Sequence, residues 1–91
     1  QSISGTWVGF EDLQGYGRLS FTFHANGTAT MVDTHGTTQG TWSRSGNVIT
    51  INVANCRYIG SLINNGTQIR GAGVFTRGPQ QGFQWDFVVS R

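Results

Sequence analysis

The sequence contains no lysine and few charged residues of either sign, and this shortage argues against several classes of protein. Only 11% of the 91 residues are charged. The basic side chains are all arginines, and they are scattered along the chain. A nucleic-acid-binding protein usually concentrates such residues on one face or stripe. We therefore expect no nucleic-acid partner.

Cysteine and long hydrophobic runs are also scarce. A single cysteine, Cys56, excludes an internal disulfide and a cysteine-based zinc site. Cys56 is then either a small buried hydrophobic residue or a thiol available for a bond between chains, which would give a homo-oligomer. No apolar run approaches the roughly 18 residues of a membrane helix. We expect no membrane span and no cofactor.

The chain is rich in glycine and threonine, and these residues separate short alternating segments. Fourteen glycines and one proline indicate many tight turns. No segment has the period of a helix, whereas alternation of apolar and polar residues recurs. The pattern predicts one all-β domain over residues 1–91. Eight strands are predicted at about 4–11, 17–24, 28–35, 38–44, 47–54, 57–63, 67–76 and 82–90.

Three turns predict how the strands pair. A three-residue loop at 25–27 places Phe23 opposite Ala29, which brings apolar residues together. A turn at 45–46 places Trp42 opposite Ile49. An Asn65-Gly66 turn places Leu62 opposite Ile69. Both Asn-Gly turns, at Asn26 and Asn65, also match the N-glycosylation acceptor pattern.

These registers collect most apolar residues on one face. An open eight-stranded sheet would leave two bare edges, and closure into an antiparallel up-and-down barrel removes them. A two-sheet β-sandwich has nearly the same pattern and is the alternative. The predicted inward residues are Trp7, Leu19, Phe21, Phe23, Ala29, Met31, Trp42, Ile49, Ile51, Val53, Tyr58, Leu62, Ile69, Phe75, Phe83, Trp85, Phe87 and Val89.

Glycine precedes tryptophan by two residues at Gly5-Thr6-Trp7 and at Gly40-Thr41-Trp42. Members of each pair share a strand face. We interpret each glycine as a position that omits a side chain so that the indole can cross a narrow interior.

Three features together resemble the calycin superfamily of lipocalin-like and avidin-like barrels. They are the first of these motifs, the meander of hairpins and the final strand "WDFVVSR". The phrases "FHANGTATM" and "GTWSRSGNVITI" are similar to small lipocalin-like domains of secreted bacterial proteins. The resemblance implies that Trp7 lies at the closed end and that Arg91 packs across its ring, both in structural roles. The chain departs from typical lipocalins in its short length, and no biotin site is carried over from avidins.

Few residues are candidates for chemistry. His24 and His35 are predicted at opposite ends of a hairpin, roughly 20 Å apart, so they cannot share a metal ion. Glu11 and Asp33 have inward parity near the mouth, where a carboxyl could have a shifted pKa. They would be the catalytic residues if the protein were an enzyme. Asp86 has outward parity.

The convergent aromatic residues are the main indication of function. We expect the protein to bind a small hydrophobic or aromatic molecule without catalysis. Two alternatives remain: a filled barrel acting through its surface, as an inhibitor or assembly subunit, and a cyclase-like enzyme. The Gln1 start and the lysine-free, threonine-rich composition favour a secreted protein, extracellular or periplasmic. The predicted ligand-binding residues are Tyr16, Phe21, Phe23, Trp42, Tyr58, Arg77 and Trp85.

Overall fold

The computed structural model describes residues 2–91 and shows eight β-strands closed into one antiparallel barrel. Each strand pairs with the next along the chain, and the eighth pairs with the first. The up-and-down barrel predicted from the sequence is therefore confirmed, and the two-sheet sandwich is wrong. The strands are β1 (Gly5–Glu11), β2 (Arg18–Phe23), β3 (Thr28–Asp33), β4 (Gly36–Ser45), β5 (Val48–Val53), β6 (Cys56–Ile63), β7 (Gln68–Phe75) and β8 (Gln84–Ser90).

Alternation along each strand separates the barrel interior from solvent. In β2, Leu19, Phe21 and Phe23 are buried, and the residues between them are more exposed. This is the period-two pattern of a sheet with one apolar face. The buried hydrophobic residues are Ile3, Trp7, Leu19, Phe21, Phe23, Ala29, Met31, Ile49, Ile51, Val53, Tyr58, Leu62, Ile69, Trp85, Phe87 and Val89.

Two of the three predicted hairpin registers are confirmed. Phe23 pairs with Ala29, and Leu62 pairs with Ile69. The register between β4 and β5 is wrong by two residues, because Trp42 pairs with Ile51 rather than Ile49. The chain turns at residues 46–47 instead of 45–46. A shift of two residues preserves the inward faces, so the core prediction survives the error.

The barrel has a closed end, where the N-terminal segment covers the interior. Trp7 is fully buried, and its indole Nε1 donates a hydrogen bond to the carbonyl of Ile3 at 2.9 Å. The guanidinium of Arg91 lies 4.5 Å from the centroid of the Trp7 ring, which is the contact that the family resemblance implies. Arg91 also donates to the carbonyls of Gly66 and Ser2. Ile3, which precedes the first strand, was missed as a core residue.

Glycines allow close packing at several inward positions, but not in the way that the sequence suggests. Among residues 2–91, nothing lies within 4 Å of a Cβ placed at Gly5, whose φ of +118° is the conformation that requires glycine. A Cβ at Gly40 would strike the backbone of Asn52 on β5, not Trp42. The glycine that leaves room for an indole is Gly73, where a Cβ would lie 2.7 Å from Trp85.

The end opposite the closed end is open, and we call it the mouth. Four connections surround it: residues 12–17, 34–35, 54–55 and 76–83. Phe83, predicted to point inward, lies in the last of these and is 53% exposed. The prediction was wrong because residues 76–83 form turns, and strand alternation begins only at Gln84.

Candidate functional site

A cavity of about 270 Å³ opens at the mouth, and we call it the mouth cavity. Its walls come from the mouth ends of the strands and from three of the four connections. The aromatic and aliphatic residues below it fill the rest of the barrel, so the cavity is shallow. Its lining residues are Glu11, Leu13, Tyr16, Met31, Asp33, His35, Gly36, Thr37, Thr38, Ala54, Asn55, Cys56, Tyr58 and Phe75.

Glu11 is the buried carboxyl of this cavity. It ends β1 with inward parity, and only 6% of its surface is exposed. Its Oε1 accepts a hydrogen bond from the Tyr58 hydroxyl at 2.6 Å and another from Trp85 Nε1 at 2.8 Å. The short distance from the hydroxyl is typical of a bond to an ionised carboxylate. Tyr58 and Trp85 therefore fix the orientation of the Glu11 carboxyl.

The second oxygen of the same carboxyl has no such support. Oε2 of Glu11 is buried and has no hydrogen-bond partner among residues 2–91. A buried polar atom without a partner is costly, and most native structures avoid it. This oxygen belongs to a residue that lines the mouth cavity.

The electrostatic environment opposes ionisation of Glu11. Burial raises the pKa of the Glu11 carboxyl above its ordinary value, and the charge of Asp33 adds to the effect. The hydrogen bonds from Tyr58 and Trp85 lower the pKa but do not cancel the burial. Burial, followed by the hydrogen bond to Glu11 and the charge of Glu11, raises the pKa of the Tyr58 hydroxyl well above its ordinary range.

Asp33, His35 and Tyr16 form one side of the rim. The backbone N–H of His35 donates to Oδ1 of Asp33 at 2.8 Å, which closes the turn between β3 and β4. The rings of Tyr16 and His35 lie 4.2 Å apart between centroids. Their contact joins the connection at 12–17 to the connection at 34–35. Glu11 and Asp33 were both predicted to face inward near the mouth, and both line this one cavity.

Cys56 lies at the same cavity rather than in the core. Its side chain is half-buried and packs against the edge of the core, and its thiol contacts Oδ1 of Asn55. Burial, together with the nearby Glu11 and Asp33 carboxyls, raises the pKa of the Cys56 thiol to about 11. A thiol with such a pKa is a poor nucleophile near neutral pH.

The predicted ligand-binding residues fall into two groups. Tyr16 and Tyr58 line the mouth cavity, and Trp85 lies beside it, in contact with Phe75 at 4.7 Å between centroids. Three others are placed elsewhere and do not line it. Phe21 is in the middle of the barrel, and Phe23 and Trp42 pack together toward the closed end.

A hydrogen bond holds the Trp42 side chain in place: its indole Nε1 donates to the carbonyl of His24 at 2.8 Å. His24 belongs to the connection between β2 and β3 at the closed end. Arg77 belongs to the 76–83 connection at the mouth, but its side chain is exposed and does not line the cavity. Parity predicts which residues face inward, but it does not predict their depth along the barrel.

Sequence analysis missed several residues of the cavity wall as site residues. Met31 and Phe75 were assigned to the core from their parity, and both also line the cavity. Leu13, in the connection after β1, packs against the core from the mouth side. The available signal was their position: each lies within a few residues of a mouth connection.

The histidines give no basis for a metal centre. His35 lines the mouth cavity, whereas His24 lies at the closed end and bonds to Thr30. Across residues 2–91, no group of three or more histidine, cysteine, aspartate or glutamate side chains has the arrangement to hold a metal ion. The same residues contain no helix long and apolar enough to cross a membrane.

The outer surface carries an exposed apolar area on neighbouring strands. Val8 and Val32 both lie beside Ser20 in the sheet register, and about half of each valine is exposed. Phe10, two residues along from Val8 on the same face of β1, is 60% exposed. We call Val8, Phe10 and Val32 the outer apolar patch.

No protein-family model and no curated protein sequence matches this chain. The closed eight-stranded antiparallel barrel is consistent with a calycin-like fold. The candidate site accordingly rests on the geometry of the chain's own residues.

Proposed function

We propose that this protein binds a small, partly hydrophobic molecule in the mouth cavity, without catalysis. The observation that carries the proposal is the buried Oε2 of Glu11, which lacks a partner in residues 2–91 and belongs to the wall of an open cavity. Ligand sites characteristically combine apolar walls with a few fixed polar groups. Leu13, Met31 and Phe75 would supply the walls, and Glu11 would orient the ligand.

The filled interior limits the size of the ligand. Phe21 and Phe23 are fully buried beneath the mouth, and their rings lie 6.0 Å apart between centroids. A volume of about 270 Å³ is just below the usual range for small-molecule sites. The proposal is therefore a molecule about the size of one aromatic ring with a short substituent. A long acyl chain would not fit.

We extend the proposal to the family and the location. The first-strand motif, the meander and the contact between Arg91 and Trp7 support membership of the calycin superfamily. The absence of lysine and the high threonine content support a secreted protein, extracellular or periplasmic.

A screen with cavity-blocking variants tests the proposal. A library of aromatic fragments is screened for binding by ligand-observed NMR. Thr38 is half-buried on β4 and lines the cavity, whereas Thr41 is exposed on the same strand. We expect fragments that bind the wild type to lose binding in Thr38→Phe and to keep it in Thr41→Phe. Equal binding by both variants, or no binding fragment at all, would contradict the proposal.

The outer apolar patch favours a second candidate function, in which the barrel acts through its surface as an inhibitor or assembly subunit. Exposed apolar side chains on adjacent strands are typical of protein-interaction surfaces. Sedimentation of the wild type over a range of concentrations tests self-association. A mass that stays monomeric at all concentrations would contradict the assembly form of this candidate.

A further inference from the structure

The charged groups around the mouth cavity are almost all acidic. Glu11 and Asp33 are both in its wall, and among residues 2–91 the only basic side chain there is the imidazole of His35. The chain's cations are arginines, and none of them lines the cavity. Arg18 and Arg57 are exposed on outward positions of β2 and β6, and Arg77 is exposed in the 76–83 connection.

The hydrogen bonding of the Glu11 carboxyl is a second observation, independent of the acidic charge around the cavity. Its Oε1 already accepts two hydrogen bonds, from Tyr58 and Trp85, and both of these bonds favour the ionised carboxylate. Its Oε2 is buried and without a partner in the described chain. An ionised carboxylate offers only acceptor positions, so the group that completes Oε2 must be a donor.

A positively charged donor would complete the hydrogen bonding of Oε2 and compensate the negative charge of the cavity, whereas a neutral donor would only complete Oε2. A neutral hydroxyl would complete Oε2 but would leave the negative charges of Glu11 and Asp33 without compensation. A protonated amine would complete Oε2 and compensate the charge, and hydrogen bonds between charged groups are the stronger kind. A carboxylate or phosphate ligand would meet two like charges and no arginine.

From this arrangement we infer that the ligand of the mouth cavity is a small aromatic or apolar amine, bound as its cation with the ammonium group on Oε2 of Glu11. The inference rests on the proposed function. The aromatic walls strengthen it, because Tyr16 and Phe75 line the same cavity and the face of an aromatic ring attracts a cation. Asp33 at the rim adds a second, more exposed negative charge.

Binding is expected to depend on pH through the groups that surround Glu11. Because the pKa of Glu11 is raised in the free protein, this carboxyl keeps its proton to a higher pH than an ordinary glutamate does. A cationic ligand binds the ionised form, so its affinity rises with pH and binding releases protons. The groups facing Glu11 are Tyr58 and Cys56 from β6, Trp85 from β8, Asp33 from β3, His35 from the 34–35 connection and Tyr16 from the 12–17 connection.

Calorimetry with three matched ligands tests the inference: benzylamine, benzyl alcohol and benzoate. At about pH 7 we expect benzylamine to bind at least about tenfold more tightly than benzyl alcohol, the effect of one charge-assisted hydrogen bond. Benzoate should bind most weakly. Between about pH 5 and about pH 7 the affinity for benzylamine should rise, and two buffers of different ionisation enthalpy should report proton release.

Two variants locate the effect. Glu11→Gln should remove the preference for benzylamine and its pH dependence while retaining binding of benzyl alcohol. Asp33→Asn changes only a rim side chain. It should reduce the preference for benzylamine and move the rise of affinity with pH to lower pH, because it removes a charge that raises the pKa of Glu11. Asp33→Asn is informative even if Glu11→Gln fails to fold.

The outcomes separate this inference from the function on which it rests. Equal binding of benzylamine and benzyl alcohol, or tightest binding of benzoate, would overturn the amine and leave a mouth-cavity ligand site intact. Failure of all three ligands, together with a fragment screen in which no compound is sensitive to Thr38→Phe, would overturn both. A preference for benzylamine that survives Glu11→Gln would also overturn the inference.

Discussion

At the scale of single residues, Gly73 connects sequence to site more directly than either glycine–tryptophan motif. Gly73 pairs with Trp85 across β7 and β8, and the indole occupies the space that a side chain at 73 would need. The same indole donates to Glu11. The motifs at Gly5 and Gly40 predicted correctly that a glycine leaves room for an indole, but they placed this contact at the wrong residues. The glycine and the indole that meet lie on neighbouring strands, whereas each motif has both residues on one strand.

We therefore predict that Gly73→Ala destabilises the protein by about 1–3 kcal/mol, the usual effect of overpacking a rigid interior. The added Cβ would lie 2.7 Å from Cε2 of Trp85. Urea unfolding measures the change. Gly17→Ala is the control, since no atom of residues 2–91 lies within 4 Å of its Cβ and its φ is not in the left-handed region. A change for Gly17→Ala as large as that for Gly73→Ala would contradict the explanation.

Glu11 gives a second prediction at the same scale, concerning stability and pH. An acid whose pKa is higher in the folded protein than in the unfolded chain binds more protons when folded, so stability falls as pH rises between the two values. The pKa of Glu11 is raised from 4.5, so the fall begins near that pH. Relative to Glu11→Gln, the wild type should lose free energy of unfolding as the pH increases from about 4 to about 8.

Tyr58→Phe provides the complementary measurement. It removes a hydrogen bond that lowers the pKa of Glu11, so the fall should extend to higher pH than in the wild type. Both comparisons use urea unfolding across the pH range. Curves for the wild type and Glu11→Gln that stay parallel would show that Glu11 has no raised pKa.

At the scale of strands and turns, the sequence predicts alternation well and turn positions less well. Asn26-Gly27 and Asn65-Gly66 identified two registers because glycine adopts the left-handed conformation at φ +90° and +76°. The connection between β5 and β6 carries no such signal. Its two residues are Ala54 and Asn55, and Ala54 has a φ of +48° that alanine rarely adopts.

Ala54→Gly should accordingly stabilise the protein by up to about 1 kcal/mol, because glycine relieves the strain of the left-handed conformation. Ala25→Gly is the matched control. Ala25 lies in the loop between β2 and β3 without a positive φ, so glycine there should destabilise by about 0.4–1 kcal/mol through the unfolded chain. Thermal unfolding of both variants gives the signs. A destabilising Ala54→Gly would contradict strain at this turn.

At the scale of the whole molecule, the barrel has two ends with different roles. Ile3, Trp7 and Arg91 seal one end through a hydrogen bond and a cation–π contact. The other end keeps a cavity with a buried carboxyl at its wall. Sequence reasoning predicted the closed barrel and the inward faces, since both follow from alternation and from the cost of bare sheet edges.

Alternation could not predict which inward-facing residues lie at the closed end and which lie at the mouth. Phe23, Trp42 and Tyr58 share an inward face, and only their depth decides which of them meets the mouth cavity. Depth depends on register around the closed barrel, including the pairing of β8 with β1, which no turn specifies. The pairing of Tyr58 and Trp85 on one oxygen of Glu11 likewise joins strands far apart in sequence.

The central claim is that the mouth cavity binds a small molecule at Glu11, and the indole N–H groups of the three tryptophans test it most directly. Trp85 donates to Glu11 beside the cavity, whereas Trp7 and Trp42 donate to backbone carbonyls at the closed end. In a nitrogen–proton NMR titration with benzylamine, the Trp85 indole signal should shift in a saturable way and the other two should stay in place. A titration that leaves the Trp85 signal unmoved, or that shifts all three signals equally, would contradict the claim.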